Sequence, residues 1–122
     1  MASYCSVDQW AIMKGYASFI LYIADNNTPL EITLQSMLDR MTGLMNREIG
    51  ATTNITTASD LEMLMDICYR GTEMMIDMEQ AREERRNPDI MIPRDYMFER
   101  DREKLRDVGI ENGTRIIGGV AS

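Results

Sequence analysis

Residues 60–86 read DLEMLMDICYRGTEMMIDMEQAREERR, and this stretch decides the fold. Apolar residues recur in it at spacings of three and four, which is the pattern of one face of an α-helix. This first face comprises Leu61, Leu64, Met65, Cys68, Thr72, Met75 and Ile76. A second apolar set lies on another side and comprises Met63, Ile67, Met74 and Met78. Because a helix that is apolar on two sides needs two partners, we predict that the second set packs against another subunit.

Gly71 lies near the middle of this stretch. Glycine costs a helix about 1 kcal/mol relative to alanine, so its place in a helix interior needs a reason. With no side chain, it allows a neighbouring backbone or side chain to approach closely. We therefore predict that either another helix crosses the long helix closely at Gly71 or the long helix bends slightly there.

Start and stop signals divide the rest of the chain into helices. Ser6 and Gln9 have the spacing of a capping box, which predicts one unbroken first helix. Thr28-Pro29 opens a second, strongly amphipathic helix, and Gly50 has the position of its C-terminal stop. The predicted helices cover residues 7–25, 29–49, 60–86 and 94–107.

The C-terminal residues differ from the helices. After a turn, residues 114–117 have strand character, and Gly118-Gly119 ends the segment. This tail is either a frayed terminus or a strand that pairs with the edge of a partner's sheet. In the second case the docking residues are Ile110, Thr114, Arg115, Ile116 and Ile117. The sequence therefore predicts an all-α fold, with a small bundle of about four helices over residues 1–109 and an extended C-terminal tail over 110–122.

Length and charge narrow the classes of function. The 122 residues suit a single domain, and the net charge of −7 lies entirely within residues 1–80. An acidic chain gains no counterion release on nucleic acid, so tight binding of DNA or RNA is not expected. The N-terminus lacks the pattern of a signal peptide, and the most apolar run, residues 17–24, is too short to span a membrane.

The inventory of reactive side chains argues against catalysis. The chain contains no His, which is the commonest general base and metal ligand. Cys5 and Cys68 have no metal-site spacing and are predicted to be free thiols in a reducing compartment. The glycines form no phosphate-binding loop. We therefore predict no catalytic residues, no metal and no cofactor.

Three segments carry a resemblance to a known family. They are residues 38–50, LDRMTGLMNREIG, the long helix from Leu61, and the later block of residues 93–100, PRDYMFER. A final helix and a C-terminal tail follow. In this order of elements the chain resembles the small head–tail adaptor, or connector, proteins of long-tailed bacteriophages and related archaeal viruses.

The resemblance implies a structural role in the virion rather than an enzymatic one. Members of this family form a homo-oligomeric ring, commonly dodecameric, of helical bundles between the portal protein and a tail-side neck or stopper protein. The ring would assemble in the host cytoplasm, without a membrane, and DNA would pass through its channel without specific binding. The family's C-terminal tails reach the portal, a role that maps to residues 110–122. Their removal is expected to abolish portal docking.

Two other functions stay open from the residues alone. The first is a small cytosolic helical regulator that dimerises and binds a partner protein in a methionine-lined groove, since methionine suits adaptable contact surfaces. The second is an enzyme that holds a divalent metal on carboxylates of the long helix. Its candidate ligands are Asp66, Glu73 and Asp77.

Overall fold

The protein is described by a computed structural model, which covers residues 3–26, 31–50, 58–83, 96–111, 116–117 and 120–121. Five helices and one short β-hairpin lie within these ranges. The helices confirm the all-α class. The helices are α1 (Val7–Met13), α2 (Phe19–Asn26), α3 (Glu31–Ile49), α4 (Ala58–Glu83) and α5 (Glu99–Glu111). The strands are β1 (Ile116–Ile117) and β2 (Val120–Ala121).

The prediction of one unbroken helix over residues 7–25 is wrong. The capping box is present, since Ser6 Oγ accepts from Gln9 N at 3.1 Å and Gln9 Oε1 accepts from Ser6 N at 2.9 Å. However, α1 ends at Met13 and Gly15 follows with φ of +102°, a left-handed conformation that glycine adopts at little cost. Two helices therefore replace one.

A contact distant in sequence fixes this break. The backbone N–H of Phe19, the first residue of α2, donates to Asp8 Oδ1 in α1 at 3.1 Å. The Asp8 carboxylate thus satisfies one of the N–H groups that every helix start leaves without an intrahelical acceptor. As a result, α2 folds back onto α1 and buries Phe19 and Tyr22.

The core lies where α3, α4 and α5 pack together, with α1 on one side. It encloses apolar residues of each helix, and its largest fully buried members include Trp10, Leu34, Leu38, Met41, Met45, Ile49, Leu64, Ile67, Leu105 and Val108. The predicted stripe of the second helix therefore faces the core. Gly50 ends α3 as predicted, with φ of +105° and its N–H on the Asn46 carbonyl at 3.0 Å.

The predicted close crossing at Gly71 is confirmed, and the partner is α3. A Cβ atom added at position 71 would lie 2.5 Å from Cε and 3.0 Å from Cγ of Met41, and closer still to its Sδ. Such distances are well inside ordinary van der Waals contact. Met41 is fully buried, so the absence of a side chain at position 71 creates the space that the methionine fills.

The boundaries of the last helix differ from the prediction. It begins at Glu99 and continues to Glu111, so Ile110 belongs to α5 rather than to an extended tail. The start predicted at Arg94 and the stop predicted at Asn87-Pro88 lie outside the described residues. At the other end, α4 begins at Ala58, one residue before the predicted cap Ser59.

The C-terminal residues form a hairpin rather than a single strand. Ile116 pairs with Ala121 and Ile117 pairs with Val120 in an antiparallel register. A pairing partner for the tail thus exists within the chain itself. Thr114 and Arg115, which were predicted to act with these strands, lie outside the described residues.

Candidate interaction surfaces

The side chains predicted to face another subunit do not share one environment. Ile67 is only 1% exposed and belongs to the core of the single chain, whereas Met63, Met74 and Met78 are half-buried. Helical spacing explains the burial of Ile67: it lies one turn from Arg70, whose guanidinium pairs with Asp101 of α5. The face that carries Ile67 is therefore the face that meets α5.

The most exposed large apolar side chains lie elsewhere. The most exposed is Ile32, near the start of α3, at 77%. On α2, Ile20 and Leu21 are 76% and 53% exposed, and Ile12 of α1 is also exposed. By helical spacing, a continuous helix over residues 7–25 would place Ile20 and Leu21 in one apolar stripe with Trp10, Met13, Ala17 and Ala24. Because the chain breaks at Gly15 and α2 turns back onto α1, Ile20 and Leu21 point away from the core instead. Because α1 and α2 form a helical hairpin, we call their exposed residues Ile12, Ile20 and Leu21 the hairpin patch. The name does not refer to the C-terminal β-hairpin.

An open cleft of about 550 Å³ lies between the N-terminal segment and the start of α4. Its lining combines apolar, hydroxyl, amide and carboxylate groups, from Ser3, Tyr4, Gln9, Leu61, Glu62 and Met65. Leu61 and Met65 lie one turn apart on α4, and both belong to the first apolar face recognised in the sequence. We call these six residues the α4 cleft.

Hydrogen bonds to α3 hold the wall of the α4 cleft in place. Tyr4 N donates to Thr42 Oγ1 at 3.1 Å, and the Tyr4 hydroxyl donates to Asn46 Oδ1. Thr42 and Asn46 are both buried, one turn apart on α3. Polar residues on an otherwise apolar helix face thus have a structural purpose that periodicity alone does not indicate.

The two thiols lie in the core beside this anchor. Cys5 and Cys68 are both fully buried and free, and Cys68 Sγ lies 3.8 Å from Thr42 Oγ1. Burial raises the pKa of Cys5 to about 12 and that of Cys68 to about 11, because a thiolate would lose its hydration there. Both therefore remain protonated at neutral pH and are poor nucleophiles.

One carboxylate of α4 is held in a polar link to α1. Glu73 Oε2 lies 3.0 Å from Lys14 Nζ, and the Tyr69 hydroxyl also donates to this carboxylate. Burial acts to raise the pKa of Glu73, but the hydrogen bonds from Tyr69 and Lys14 and the positive charge of Lys14 outweigh it, so the net pKa is lowered. Lys14 also lies over the Trp10 ring, 5.3 Å from its centroid.

We expect Glu73→Gln to weaken the docking of α1 on α4 by about 0.5–1 kcal/mol at neutral pH, since both charged groups are about one-third exposed and solvent screens them. A depressed folded-state pKa contributes stability above the unfolded pKa, and this contribution is lost as pH falls through the folded value. Urea unfolding of wild type and variant should therefore differ at pH 7 and converge at acidic pH.

The exposed residue Glu103 on α5 supplies the control for this measurement. Glu103→Gln removes the same charge away from the α1–α4 contact and should change unfolding by less than about 0.5 kcal/mol at either pH. A difference for Glu73→Gln that persists unchanged down to acidic pH would contradict a stabilising carboxylate at position 73.

The three carboxylates considered as metal ligands are not brought together as a site. Glu73 is engaged by Lys14 and Tyr69, while Asp66 and Asp77 are exposed. Among the described residues, no three His, Cys, Asp or Glu side chains are grouped so that they could hold a metal ion. Within the same part of the chain, none of the helices is both long and apolar enough to cross a membrane.

A further exposed group lies at the start of α5. The sequence places Phe98 in a thin apolar stripe of the last predicted helix with Met97, Leu105 and Val108, but only the other three are buried. The Phe98 side chain is 43% exposed. Its backbone carbonyl accepts hydrogen bonds from Asp101 N at 3.0 Å and from Arg102 N at 3.1 Å. The Arg100 guanidinium lies 6.0 Å from the Phe98 ring centroid. The backbone of Phe98 is thus fixed by the helix start, and its ring projects with a cation beside it. We call Phe98 and Arg100 the α5 knob.

In comparisons with known proteins, no family model, no curated protein and no solved structure matches this chain.

Proposed function

We propose that this chain is the subunit of a homomeric ring that acts as a head–tail adaptor in the virion of a tailed bacteriophage or related archaeal virus. In this proposal the helical bundle, which ends with α5 at Glu111, forms the ring, and the C-terminal residues that follow dock on the portal protein. A neck or stopper protein binds the opposite side, and DNA passes through the channel. The ring assembles in the host cytoplasm.

The exposure of the hairpin patch is the observation that carries this proposal. Ile20 and Leu21 are adjacent apolar residues on a helix that packs mainly against α1. Apolar side chains exposed together on a small chain favour association with another protein surface, because burying them removes apolar area from water. Repeated around a ring, such a contact supplies the assembly that an adaptor needs.

The charge of the chain suits the proposed channel. Lys and Arg number 13 against 20 Asp and Glu, so the subunit as a whole repels the phosphate backbone. DNA must slide through an adaptor ring without being held, and an excess of acidic groups favours that behaviour. The same charge disfavours the sequence-independent binding that basic proteins show.

The C-terminal hairpin supports a docking role for the end of the chain. Its strands are only two residues long, and an isolated hairpin of this size is marginally stable in water. A third strand from a partner's sheet can add to either outer edge, which is the β-augmentation mode of recognition. In the proposed function that partner is the portal.

Assembly state is the first test of the proposed function. Mass photometry and negative-stain electron microscopy of the purified protein, alone and mixed with the cognate portal, should reveal closed rings or ring-shaped density on the portal. A sharp dimer mass in both samples, with no added density on the portal, would contradict the proposal and favour the small dimeric regulator.

Removal of the C-terminal residues tests the docking role separately. Because α5 extends to Glu111, the chain should be truncated after that residue. Truncation before Ile110 would remove a half-buried residue of the helix. We expect the chain truncated after Glu111 to keep its helical circular dichroism and thermal midpoint within about 4 °C, since no core helix is shortened. Its co-sedimentation with portal should be lost; undiminished co-sedimentation would assign portal binding to the bundle.

A further inference from the structure

The surface of the chain carries two apolar features, one beside a positive charge and the other beside a negative charge. The α5 knob presents an aromatic ring with the positive charge of Arg100 beside it. The α4 cleft presents Leu61, which is 42% exposed, and the half-buried Met65 beside the exposed carboxylate of Glu62. Among the described residues, no carboxylate lies within ion-pair distance of Arg100, and no basic side chain lies within that distance of Glu62.

These two features lie on different sides of α4. The α4 cleft is on the side of α1, because Leu61, Met65 and Tyr69 are spaced one turn apart and the Tyr69 ring lies 6.1 Å from that of Trp10. The α5 knob is on the side marked by Arg70, which contacts Asp101 at 2.9 Å. Consecutive residues of a helix point about 100° apart, so one chain presents the knob and the cleft in different directions.

We propose that the α5 knob of one copy inserts into the α4 cleft of the next copy, with Phe98 against Leu61 and Met65 and Arg100 paired with Glu62. This proposal rests on the proposed ring and names a second contact between neighbouring copies, in addition to the one that the hairpin patch supplies. The occupant of the cleft is a second copy of this chain.

The size and chemistry of the α4 cleft suit this occupant. A volume of about 550 Å³ is ample for one aromatic side chain, and an open cleft lets the adjoining backbone of α5 approach. Buried aromatic and arginine side chains are the residues that most often dominate the affinity of protein interfaces. The pairing of Arg100 with Glu62 then sets the orientation, because a complementary charge steers encounter and excludes the wrong register.

The symmetry of such a contact explains why it would produce a ring. Because one copy presents the knob and the cleft in different directions, it cannot exchange both with a single partner, so each neighbour takes one surface and the contact is heterologous. A heterologous contact cannot close as a two-fold dimer of the same contact, and it generates a ring when the rotation between copies closes. The hairpin patch is separate from both surfaces, which leaves it available for neighbours within the ring or for another protein.

Charge exchange between positions 62 and 100 tests the proposal. Glu62→Arg and Arg100→Glu each place like charges together, and we expect each to weaken self-association by at least about tenfold in analytical ultracentrifugation. The double variant restores opposite charges with reversed sign and should recover association to within about threefold of wild type. Circular dichroism confirms folding, which should be unaffected because both side chains are exposed.

A cysteine cross-link tests the geometry directly. Phe98→Cys and Met65→Cys are prepared as separate proteins in which Cys5 and Cys68 are retained, since both are fully buried. After mild oxidation, the mixture of the two variants should give covalent dimers, while each variant alone should give few. Dimers of Phe98→Cys alone in equal yield would overturn the proposal, because they indicate that the knob meets itself across a two-fold axis.

These outcomes separate the two proposals. If the wild type forms rings that bind portal, and both charge variants form the same rings with unchanged affinity, the knob-and-cleft contact is overturned while the adaptor function stands. If the wild type stays monomeric or dimeric at high concentration with and without portal, both are overturned.

Discussion

Replacing Gly71 with leucine is expected to destabilise the protein by about 3 kcal/mol, the upper part of the usual range for overpacking a core. The space beside Gly71 is filled by Met41, which is fully buried and has no solvent to move into. A leucine side chain would push α3 and α4 apart along their crossing. Equilibrium unfolding in urea, followed by helical circular dichroism, measures the loss.

Alanine at position 71 gives a sharper version of the same test. Its higher helix propensity favours the folded state by about 1 kcal/mol, while its Cβ must displace the Met41 side chain. We expect the steric cost to exceed the propensity gain, so that Gly71→Ala is destabilising in the wild-type background. In a Met41→Ala background the obstruction is gone, and Gly71→Ala should become stabilising. This change of sign identifies Met41 as the cause.

Gly43 is a matched control within the same fold. It also lies inside a helix, α3, but a Cβ added there would meet nothing within 4 Å. Gly43→Ala should therefore stabilise the protein by about 0.5–1 kcal/mol through propensity alone. Equal effects of alanine at positions 43 and 71 would contradict a steric role for Met41.

Replacing Asp101 with leucine is expected to destabilise the protein by about 2–3 kcal/mol. Asp101 is only 2% exposed and accepts from Arg70 Nη2 at 2.9 Å, so its loss leaves a charged guanidinium partly buried without its partner. Breaking a fully buried ion pair typically costs about 3–5 kcal/mol. We expect less here because the Arg70 side chain is about one-third exposed and keeps some contact with water.

The double variant decides whether the cost comes from the isolated charge. Replacing Arg70 with methionine and Asp101 with leucine removes both charges and leaves apolar side chains of similar length, a change that is often nearly neutral. We expect Arg70→Met to recover more than half of the stability lost in Asp101→Leu. If instead the two losses add, the coupling energy between the two side chains is zero, and the cost of Asp101→Leu does not come from the isolated guanidinium.

Both predictions concern the packing of α4, the helix that the sequence marks most clearly. Its first apolar face follows from residue types at regular spacings, and the close crossing at Gly71 follows from the missing side chain of glycine. The capping box at Ser6 and the stop at Gly50 likewise depend on residues within one turn of each other. Local signals of this kind are carried by the sequence itself, and the structure agrees with them.

The candidate surfaces could not be predicted from local sequence signals in the same way. The second apolar face of α4 is recognisable, but periodicity cannot say whether helices of the same chain or another subunit cover it, and the structure places Ile67 in the core of the single chain. Phe98 belongs by its spacing to the apolar stripe predicted for the last helix, but that helix begins only at Glu99 and the ring of Phe98 is left exposed. The α4 cleft needs the N-terminal segment beside α4, a contact between residues far apart in sequence.

The sequence by itself determined the helical class, the stripe along residues 60–86 and glycine as the place of a close approach. Tertiary structure alone decided which apolar faces are covered and that Met41 is the side chain beside Gly71. The hydrogen bond from Phe19 to the Asp8 carboxylate accompanies the break at Gly15, and Ile67 is buried in the core where α3, α4 and α5 pack together. The physical reason is that helical periodicity records which side of a helix is apolar, whereas the partner of that side is set by contacts between distant segments.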